Sequence, residues 1–307
     1  TRRLSASAAQ TPKPRALPHL LISTTTSRSE MADEVVERVD PVADAIDDGY
    51  TTRGRSNDRP RQYIGASNIG SDCEASLAYS LRGYPDSPIP PKLQRIFALG
   101  HIIEDIVVAD MKKKADIRVW EKDGLTGKQH SYELFGGHIS CHMDGHVEMD
   151  DGEVAVLEVK SMNQTMFNKC LKHGVAHSHP KYVDQMQAMM GMSGMKKSLF
   201  VSYCKNTSRY LSQIVEFDEL HYNALLAKAD VVMMNEAEKV SADPEDWRCR
   251  GCFKRGVCWD DQPVPVACSS CKHAIAEETG IWYCLKHKQE GINPCDDYAV
   301  YHPKDRR

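Results

Sequence analysis

The stretch Val154-Ala155-Val156-Leu157-Glu158-Val159-Lys160 decides the fold class of this chain. Its apolar run predicts a strand in the middle of a sheet, where successive side chains point to opposite faces. Glu158 and Lys160 therefore share one face, while Leu157 and Val159 pack on the other. Burying an unpaired charge is costly, and a divalent cation on the carboxylate with the ammonium nearby relieves that cost. An exposed Glu–Lys ion pair of little consequence is the alternative.

Helices and strands alternate around this strand in an order that predicts one α/β layer. Two helices, over residues 67–82 and 93–114, precede a meander of strands between residues 117 and 160. Two helices, two strands and a last helix over residues 219–240 follow. This order predicts a central mixed sheet flanked by helices and excludes a doubly wound dinucleotide fold.

Composition and charge narrow the classes of protein. The chain has 307 residues, and no apolar run approaches the roughly 18 residues of a membrane helix, so we expect no membrane partner. The net charge of −4 means that any nucleic-acid contact uses local basic patches. Eleven cysteines are too many for a cytosolic enzyme without metal. Their C-x2-C spacings, without a secretory segment, favour metal over disulfides.

Residues 1–62 are expected to form a disordered leader and linker. Residues 1–29 contain no Asp or Glu, are rich in Ser, Thr, Pro and Arg, and lead to Met31. A vector-derived or upstream-translated leader has this composition, and so does a mitochondrial transit peptide. We expect a cytoplasmic protein of a bacterial or phage-infected cell, with the mitochondrion as the alternative location.

A second carboxylate lies on the hairpin before the decisive strand, in the sequence His142-Met143-Asp144-Gly145. An adjacent strand would bring Asp144 beside Glu158, and Mg²⁺ or Mn²⁺ resolves the repulsion between two such carboxylates. Lys160 would then lower the pKa of a metal-bound water or hold a phosphate. Glu104, at the border of the apolar arc of its helix, is a candidate third acid. The alternatives are a bend at Asp144 and a solvated Glu104.

The order of these motifs resembles the PD-(D/E)xK nuclease superfamily, within its RecB-like branch. That branch includes the CRISPR-associated RecB-like exonucleases, the AddB nuclease domain and the lambda-exonuclease/YqaJ group. The motifs that carry the resemblance are Gly100-x3-Glu104, Met143-Asp144-Gly145, Leu157-Glu158-Val159-Lys160 and Gln185-Met186-Gln187.

The resemblance implies a restriction-endonuclease-like core over residues 63–260 that hydrolyses DNA with one or two Mg²⁺ or Mn²⁺ ions. The metal ligands that it implies are His101, Glu104, Asp144, Glu158 and the carbonyl of Val159, and the further catalytic residues are Lys160 and Gln185. Gln187 competes with Gln185 for the orienting role, because Met189 stands where the RecB-type motif often has Tyr.

Four cysteines near the two ends of this core form a second candidate site. Cys249-x2-Cys252-x5-Cys258 offers three thiolates, and Cys73 can supply a fourth. The set resembles the ligands of the four-iron, four-sulfur (4Fe–4S) cluster in the AddB and CRISPR-associated RecB-like nucleases. In the chain-entropy model a crosslink across so long a loop is worth at most about 4–5 kcal/mol. Zinc on the same ligands is the alternative.

Residues 261–307 are predicted to form a small zinc-ribbon-like tail. The pattern Cys268-x2-Cys271-x12-Cys284-x10-Cys295 supplies four zinc ligands, with His273 and His287 as substitutes. A segment this short cannot build a core without a metal. Trp282 and its neighbours either stack on a nucleic-acid strand or pack against the core.

The sequence favours a metal-dependent DNA exonuclease or end-processing nuclease that acts on single-stranded DNA or duplex ends. Recombination, repair or phage DNA metabolism is the expected setting. The lambda-exonuclease/YqaJ likeness implies a strand-annealing or recombination protein as partner. Two alternatives remain open: an inactive Fe–S or zinc protein that binds nucleic acid, and a structure-specific endonuclease of the same superfamily.

Overall fold

Two segments of the chain carry described structure. The structure is a computed structural model that describes residues 40–53 and 60–305. The chain divides into two compact units, Thr1–Ser56 and Asn57–Arg307. The first contains helix α1 (Pro41–Arg53), where Asp40 Oδ1 accepts hydrogen bonds from the backbone N–H groups of Val42 and Ala43. Helix α1 lies within residues 1–62, the segment that the sequence predicts to be a leader and linker. The predicted leader, residues 1–29, lies outside the described residues.

The second unit contains the remaining described helices and strands. The helices are α2 (Ala66–Ile69), α3 (Glu74–Leu81), α4 (Pro91–Lys113), α5 (Gln164–Ser178), α6 (Pro180–Ser193), α7 (Glu219–Met233), α8 (Trp247–Arg250) and α9 (Arg255–Trp259). The strands are β1 (Ile64–Gly65), β2 (Val119–Trp120), β3 (Ser131–Leu134), β4 (Ile139–His142), β5 (Gly145–Glu148), β6 (Val154–Met162), β7 (Lys197–Cys204), β8 (Tyr210–Glu216), β9 (Ala274–Ala276), β10 (Trp282–Cys284) and β11 (Gln289–Glu290).

A five-stranded mixed sheet forms the centre of this unit, as the sequence predicts. Its strand order is β2-β5-β6-β7-β8, so that β6 is the middle strand. Strands β6 and β7 are parallel, and the other pairs are antiparallel. Gly145 pairs with Leu157, which places the turn before β5 beside the centre of β6. The fold class is therefore confirmed.

The two faces of β6 pack against different helices. Leu157 and Val159 join a buried cluster with Ile103 and Val107 of α4. The opposite face contributes Val156 and other residues to a larger core shared with α5 and α6. Alternation along β6 therefore directs Glu158 away from the α4 cluster and toward α6.

The predicted helix over residues 67–82 is instead two short helices, α2 and α3. The chain passes very close to α6 between them, because a Cβ atom at Gly70 would lie 2.2 Å from Asp184 Oδ2. This contact interrupts the helix, and Cys73 becomes the N-cap residue of α3. A smaller sheet in the order β1-β4-β3 leads the chain into the turn that carries Asp144.

The cysteine-rich tail packs against the nuclease-like core. Its strands form a three-stranded antiparallel sheet, and residues 261–305 belong to the same compact unit as the core. The buried guanidinium of Arg82 lies 4.9 Å from the centroid of the Trp282 ring, and His138 contacts that ring edge-on. Of the two roles expected for Trp282, the structure shows the packing against the core.

Within residues 40–53 and 60–305, no helix combines the length and apolar character that crossing a membrane requires.

Candidate active site

Four elements converge on one cleft of about 440 Å³. Helix α4 contributes Glu104, the turn before β5 contributes Asp144, and helix α6 contributes Gln185. The middle strand β6 supplies Glu158 and Lys160, which contact this group. Residues separated by up to 81 positions in the chain are thus brought together, because α4, β5, β6 and α6 pack around one point of the sheet.

Glu158 is the most buried member of the group, with no exposed surface. Its Oε2 accepts a hydrogen bond of 3.0 Å from Gln185 Nε2, and its Oε1 forms an ion pair with Lys160 Nζ. Burial raises the pKa of Glu158 to about 7; Lys160 opposes the rise, and the carboxylates of Asp144 and Glu104 add to it.

Asp144 is held against the backbone of β6. Its Oδ2 accepts a hydrogen bond of 2.7 Å from the backbone N–H of Val159. Burial raises the pKa of Asp144, while the charge of Lys160 and the Val159 hydrogen bond act in the opposite direction. The glycine at position 145 fits a confined space, because a Cβ atom there would lie 3.1 Å from the carbonyl oxygen of Trp120.

Glu104 completes the carboxylate group. Burial, followed by the charge of Asp144, raises its pKa to about 7, and His101 lowers it in part. His101 Nδ1 lies 3.8 Å from Glu104 Oε2, but its side chain is 82% exposed. The structure thus places Glu104 inside the group and His101 at its rim.

Lys160 is the cation of the site. Burial opposes its charge, but the carboxylates of Glu158 and Asp144 outweigh burial and raise the pKa of Lys160. Its Nζ also lies 5.3 Å from the centroid of the Tyr182 ring. Tyr182 was not among the predicted site residues, although its position one helical turn before Gln185 on α6 places both on one face.

The two competing glutamines have different contacts. Gln185 contacts the buried carboxylate of Glu158. Gln187 donates a hydrogen bond to the carbonyl of Glu216 and accepts one from the backbone N–H of Asp218. These two bonds stabilise the junction between β8 and α7. The geometry therefore separates a side chain at the cleft from one that holds the scaffold.

The donor set fits a hard divalent cation. Glu104, Asp144 and Glu158 offer carboxylate oxygens, the ligands that Mg²⁺ and Mn²⁺ prefer. Burial and mutual repulsion disfavour their ionised forms, and a bound cation would remove that penalty. Val159 presents its backbone to the same place through its N–H contact with Asp144.

The four cysteines of the second candidate site line one cavity. Cys73, Cys249, Cys252 and Cys258 share it with the basic side chains of Lys239, Arg248, Lys254 and Arg255. Burial raises the pKa of Cys258 to about 11; Lys239 lowers it, and nearby Cys73 and Cys252 raise it. Burial likewise raises the pKa of Cys249 and Cys252, with Cys73 adding to both shifts. The ends of the core thus meet at a cluster of thiols inside a basic lining.

Glu158 and Lys160 lie on the middle strand of the mixed sheet, where the sequence motifs predict them. Residues 60–196 match the family model described as a YqaJ-like viral recombinase domain. The match confirms the resemblance seen in the motifs, and it supports a DNA exonuclease of recombination or phage DNA metabolism. A nuclease of this family implies dependence on a divalent metal.

Solved structures with partial likeness include three proteins. The alkaline exonuclease LHK-Exo from Laribacter hongkongensis is 20% identical, with a TM-score of 0.42 over 58% of this chain and 89% of that one. The protein SSO0001 is 13% identical, with a TM-score of 0.43 over 73% and 98%. A phage-related exonuclease from Haemophilus somnus 129PT is 11% identical, with a TM-score of 0.37 over 56% and 92%. Comparison with curated proteins found no match. Each TM-score is below 0.5, and the family match covers residues 60–196, less than half of the chain.

Proposed function

We propose that the core of this chain is an Mg²⁺- or Mn²⁺-dependent DNA exonuclease that hydrolyses phosphodiester bonds from a DNA end. The observation that carries the proposal is that Glu104 and Asp144 line one cleft with Gln185, and that Gln185 in turn contacts the buried Glu158, which pairs with Lys160. Three carboxyl groups beside one lysine, of which Glu158 is buried and Glu104 and Asp144 are partly buried, are costly in a protein without a cation, and they are suited to hold one.

The residues have distinct roles in this proposal. Glu104, Asp144 and Glu158 would hold the ion, which would supply Lewis-acid activation of water and offset negative charge on the scissile phosphate. Gln185 fixes the orientation of Glu158 through its hydrogen bond. Lys160, cationic beside Glu158, stabilises the charge that develops on the phosphate. His101 and the carbonyl of Val159 are proposed as further ligands at the rim.

The nuclease is tested with end-labelled single-stranded and duplex DNA and Mn²⁺, comparing wild type, Lys160→Ala and Lys172→Ala. Lys172 is an exposed lysine of α5 and serves as the matched control. We expect cleavage by wild type and control, and a loss of at least about 100-fold in the Lys160→Ala variant. The labelled end reports polarity, and a closed circle should resist.

Two other results would change the interpretation. Cleavage of the closed circle would favour the structure-specific endonuclease. Equal activity in wild type and Lys160→Ala, or no activity in either, would contradict the proposed catalytic site and favour a binding protein.

We also propose that Cys73, Cys249, Cys252 and Cys258 hold a 4Fe–4S cluster. Their shared cavity and its four basic side chains support this, because the thiolate-ligated cluster is anionic. The expected role is to tie the two ends of residues 63–260 together. We would test the cluster by measuring iron and sulfide content and the visible spectrum of anaerobically purified protein. The Cys249→Ser variant is compared with Cys204→Ala as the control. Zinc in place of iron in the wild type would overturn it.

The tail, in the same proposal, binds zinc. The four cysteines predicted as its ligands are neighbours, since the charges of Cys271, Cys284 and Cys295 all act on Cys268. The proposed setting is recombination, repair or phage DNA metabolism, with a strand-annealing or recombination protein as partner. The match to a viral recombinase domain supports that setting.

A further inference from the structure

Three metal-binding side chains of the tail lie together after β10. His287 Nε2 is 3.6 Å from Cys295 Sγ and 3.1 Å from Asp297 Oδ2. The nitrogen, sulfur and oxygen ligand atoms all lie within 4.8 Å of one another. The hairpin between β10 and β11 presents His287, and the loop after β11 returns Cys295 and Asp297 to it.

These separations match the edges of a tetrahedral metal site. With Zn–N and Zn–O bonds of about 2.0–2.1 Å and a Zn–S bond of about 2.3 Å, a tetrahedral angle sets nitrogen about 3.6 Å from sulfur and about 3.3 Å from oxygen. The observed values are 3.6 and 3.1 Å. A simple ion pair between His287 and Asp297 does not require a thiol beside the imidazole.

Cys284 supplies an independent observation. Its Sγ accepts a hydrogen bond from the backbone N–H of His287, with the two atoms 3.5 Å apart. The spacing Cys284-x2-His287 thus forms a tight turn that offers a sulfur and an imidazole from one loop.

Both carboxylate oxygens of Asp297 have a partner. Lys286 Nζ lies 2.5 Å from Asp297 Oδ1, while Oδ2 faces His287. The lysine therefore holds the carboxylate in place and leaves one oxygen directed at the group. Partners of this kind orient a ligand and increase metal affinity.

We propose that His287 Nε2, Cys295 Sγ and Asp297 Oδ2 are ligands of the zinc-class divalent ion that the proposed function assigns to the tail; the inference rests on that assignment and replaces Cys268 and Cys271 in the ligand set. This set differs from the four cysteines predicted from the sequence, because it includes an imidazole and a carboxylate. Soft and borderline ligands of this kind select zinc over Mg²⁺, so the site is chemically distinct from the carboxylate cleft. The ion closes the β10–β11 hairpin onto the following loop, and the proposal is independent of the nuclease activity.

Zinc affinity of the full chain tests the proposal. After removal of metal and titration with zinc against a chromophoric chelator, we expect binding to weaken by roughly 100-fold in His287→Ala and at least about 10-fold in Asp297→Asn. His302→Ala, which removes an exposed imidazole of the tail, should bind like wild type. Wild-type affinity in both His287→Ala and Asp297→Asn would overturn the proposal.

Replacing His287 by a different metal-binding residue distinguishes metal ligation from a purely structural effect of His287. The His287→Cys variant should retain the ion, and its cobalt(II) difference spectrum should gain sulfur-to-metal charge-transfer intensity over wild type, because one nitrogen ligand becomes a sulfur. A spectrum identical to that of wild type would show that residue 287 does not ligate and would overturn the proposal, even if His287→Ala fails to fold. Iron content and Mn²⁺-dependent cleavage, measured on the same samples, report separately on the other two sites.

Discussion

Gln185 Nε2 donates a hydrogen bond of 3.0 Å to Glu158 Oε2, so that an amide of helix α6 orients the buried carboxylate of the middle strand. Two residues later on the same helix, Gln187 bridges backbone groups of Glu216 and Asp218. One glutamine therefore belongs to the cleft and the other to the scaffold, although the sequence motif allows either to act at the site.

Substitution of the two glutamines should give opposite phenotypes. Gln185→Ala should raise the Mn²⁺ concentration for half-maximal cleavage about 10–100-fold, because it removes a partner that orients a metal ligand. Gln187→Ala should lower the free energy of unfolding by about 1–3 kcal/mol with little change in metal dependence, because two buried backbone groups lose their partner. Metal titrations of cleavage and urea unfolding measure both quantities. The reverse pattern would show that Gln187 is the residue of the cleft.

The raised pKa values of Glu158 and Glu104, both about 7, predict a pH dependence of stability. Each carboxyl binds a proton in the metal-free folded state up to a higher pH than in the unfolded state, where the ordinary value is 4.5. Their contribution to folding stability is therefore full below pH 4.5 and is lost as pH rises through about 7. Added Mn²⁺ should reverse the trend, because the ionised carboxylates bind it.

Thermal unfolding between about pH 5 and pH 8, with EDTA and with Mn²⁺, tests this prediction. The gain in melting temperature on adding Mn²⁺ should grow with pH in wild type and much less in Glu158→Gln. A gain that is independent of pH in wild type would contradict proton release from these carboxyls.

Tyr182 is expected to position Lys160 through its ring. The ring lies between His179, at a centroid distance of 5.3 Å, and Phe200, at 6.1 Å, and Lys160 Nζ is 5.3 Å from its centroid. A cation–π contact of about 0.5–1 kcal/mol predicts a two- to fivefold loss of kcat in Tyr182→Leu. Tyr182→Phe keeps the ring and should stay near wild type. An equal loss in both variants would point to the hydroxyl group.

Arg82 should be the residue on which docking of the tail depends most. Its guanidinium is buried and donates to the carbonyls of Ser269, Cys271 and Ala274. Arg82→Leu leaves these acceptors without their donor, and we expect a loss of about 3–5 kcal/mol and faster proteolysis after residue 260. The exposed ion-pair residue Arg118, changed to Met, should cost less than about 1 kcal/mol. Equal costs would contradict the anchoring role.

The backbones of Gly280 and Gly136 are in close contact where the tail meets the core. Gly280 has φ +88°, and a Cβ on it would lie 2.4 Å from the carbonyl oxygen of Gly136. Gly280→Ala should therefore destabilise the protein by more than about 2 kcal/mol, through backbone strain and steric overlap. Gly127 has φ +66° with nothing within 4 Å of the added Cβ, so Gly127→Ala should show the backbone strain alone. Similar melting temperatures for the two variants would contradict the close contact.

The local sequence pattern was sufficient to predict the central strand and its polar pair, Glu158 and Lys160. The apolar run of residues 154–160 predicts a buried middle strand, and Glu158 and Lys160 do share one face because side chains alternate along any strand. The helix that carries Glu104 was equally readable as a helix, but only part of its apolar arc is buried: Ile103 and Val107 pack inside, while Ile102 and Ile106 are exposed. The break between α2 and α3 could not be predicted from the sequence, because the close approach of Gly70 to Asp184 arises only when α6 is in place.

The sequence by itself determined the middle strand β6, the helix that carries Glu104, the order of the acidic motifs and the cysteine spacings, because these follow from nearest neighbours and from side-chain periodicity. Only the tertiary structure decided which side chains meet: Gln185 rather than Gln187 at Glu158, Tyr182 beneath Lys160, and His287 and Asp297 beside Cys295. Those contacts join residues on different elements or across loops. They depend on packing distances of a few ångströms, which spacing along the chain does not encode.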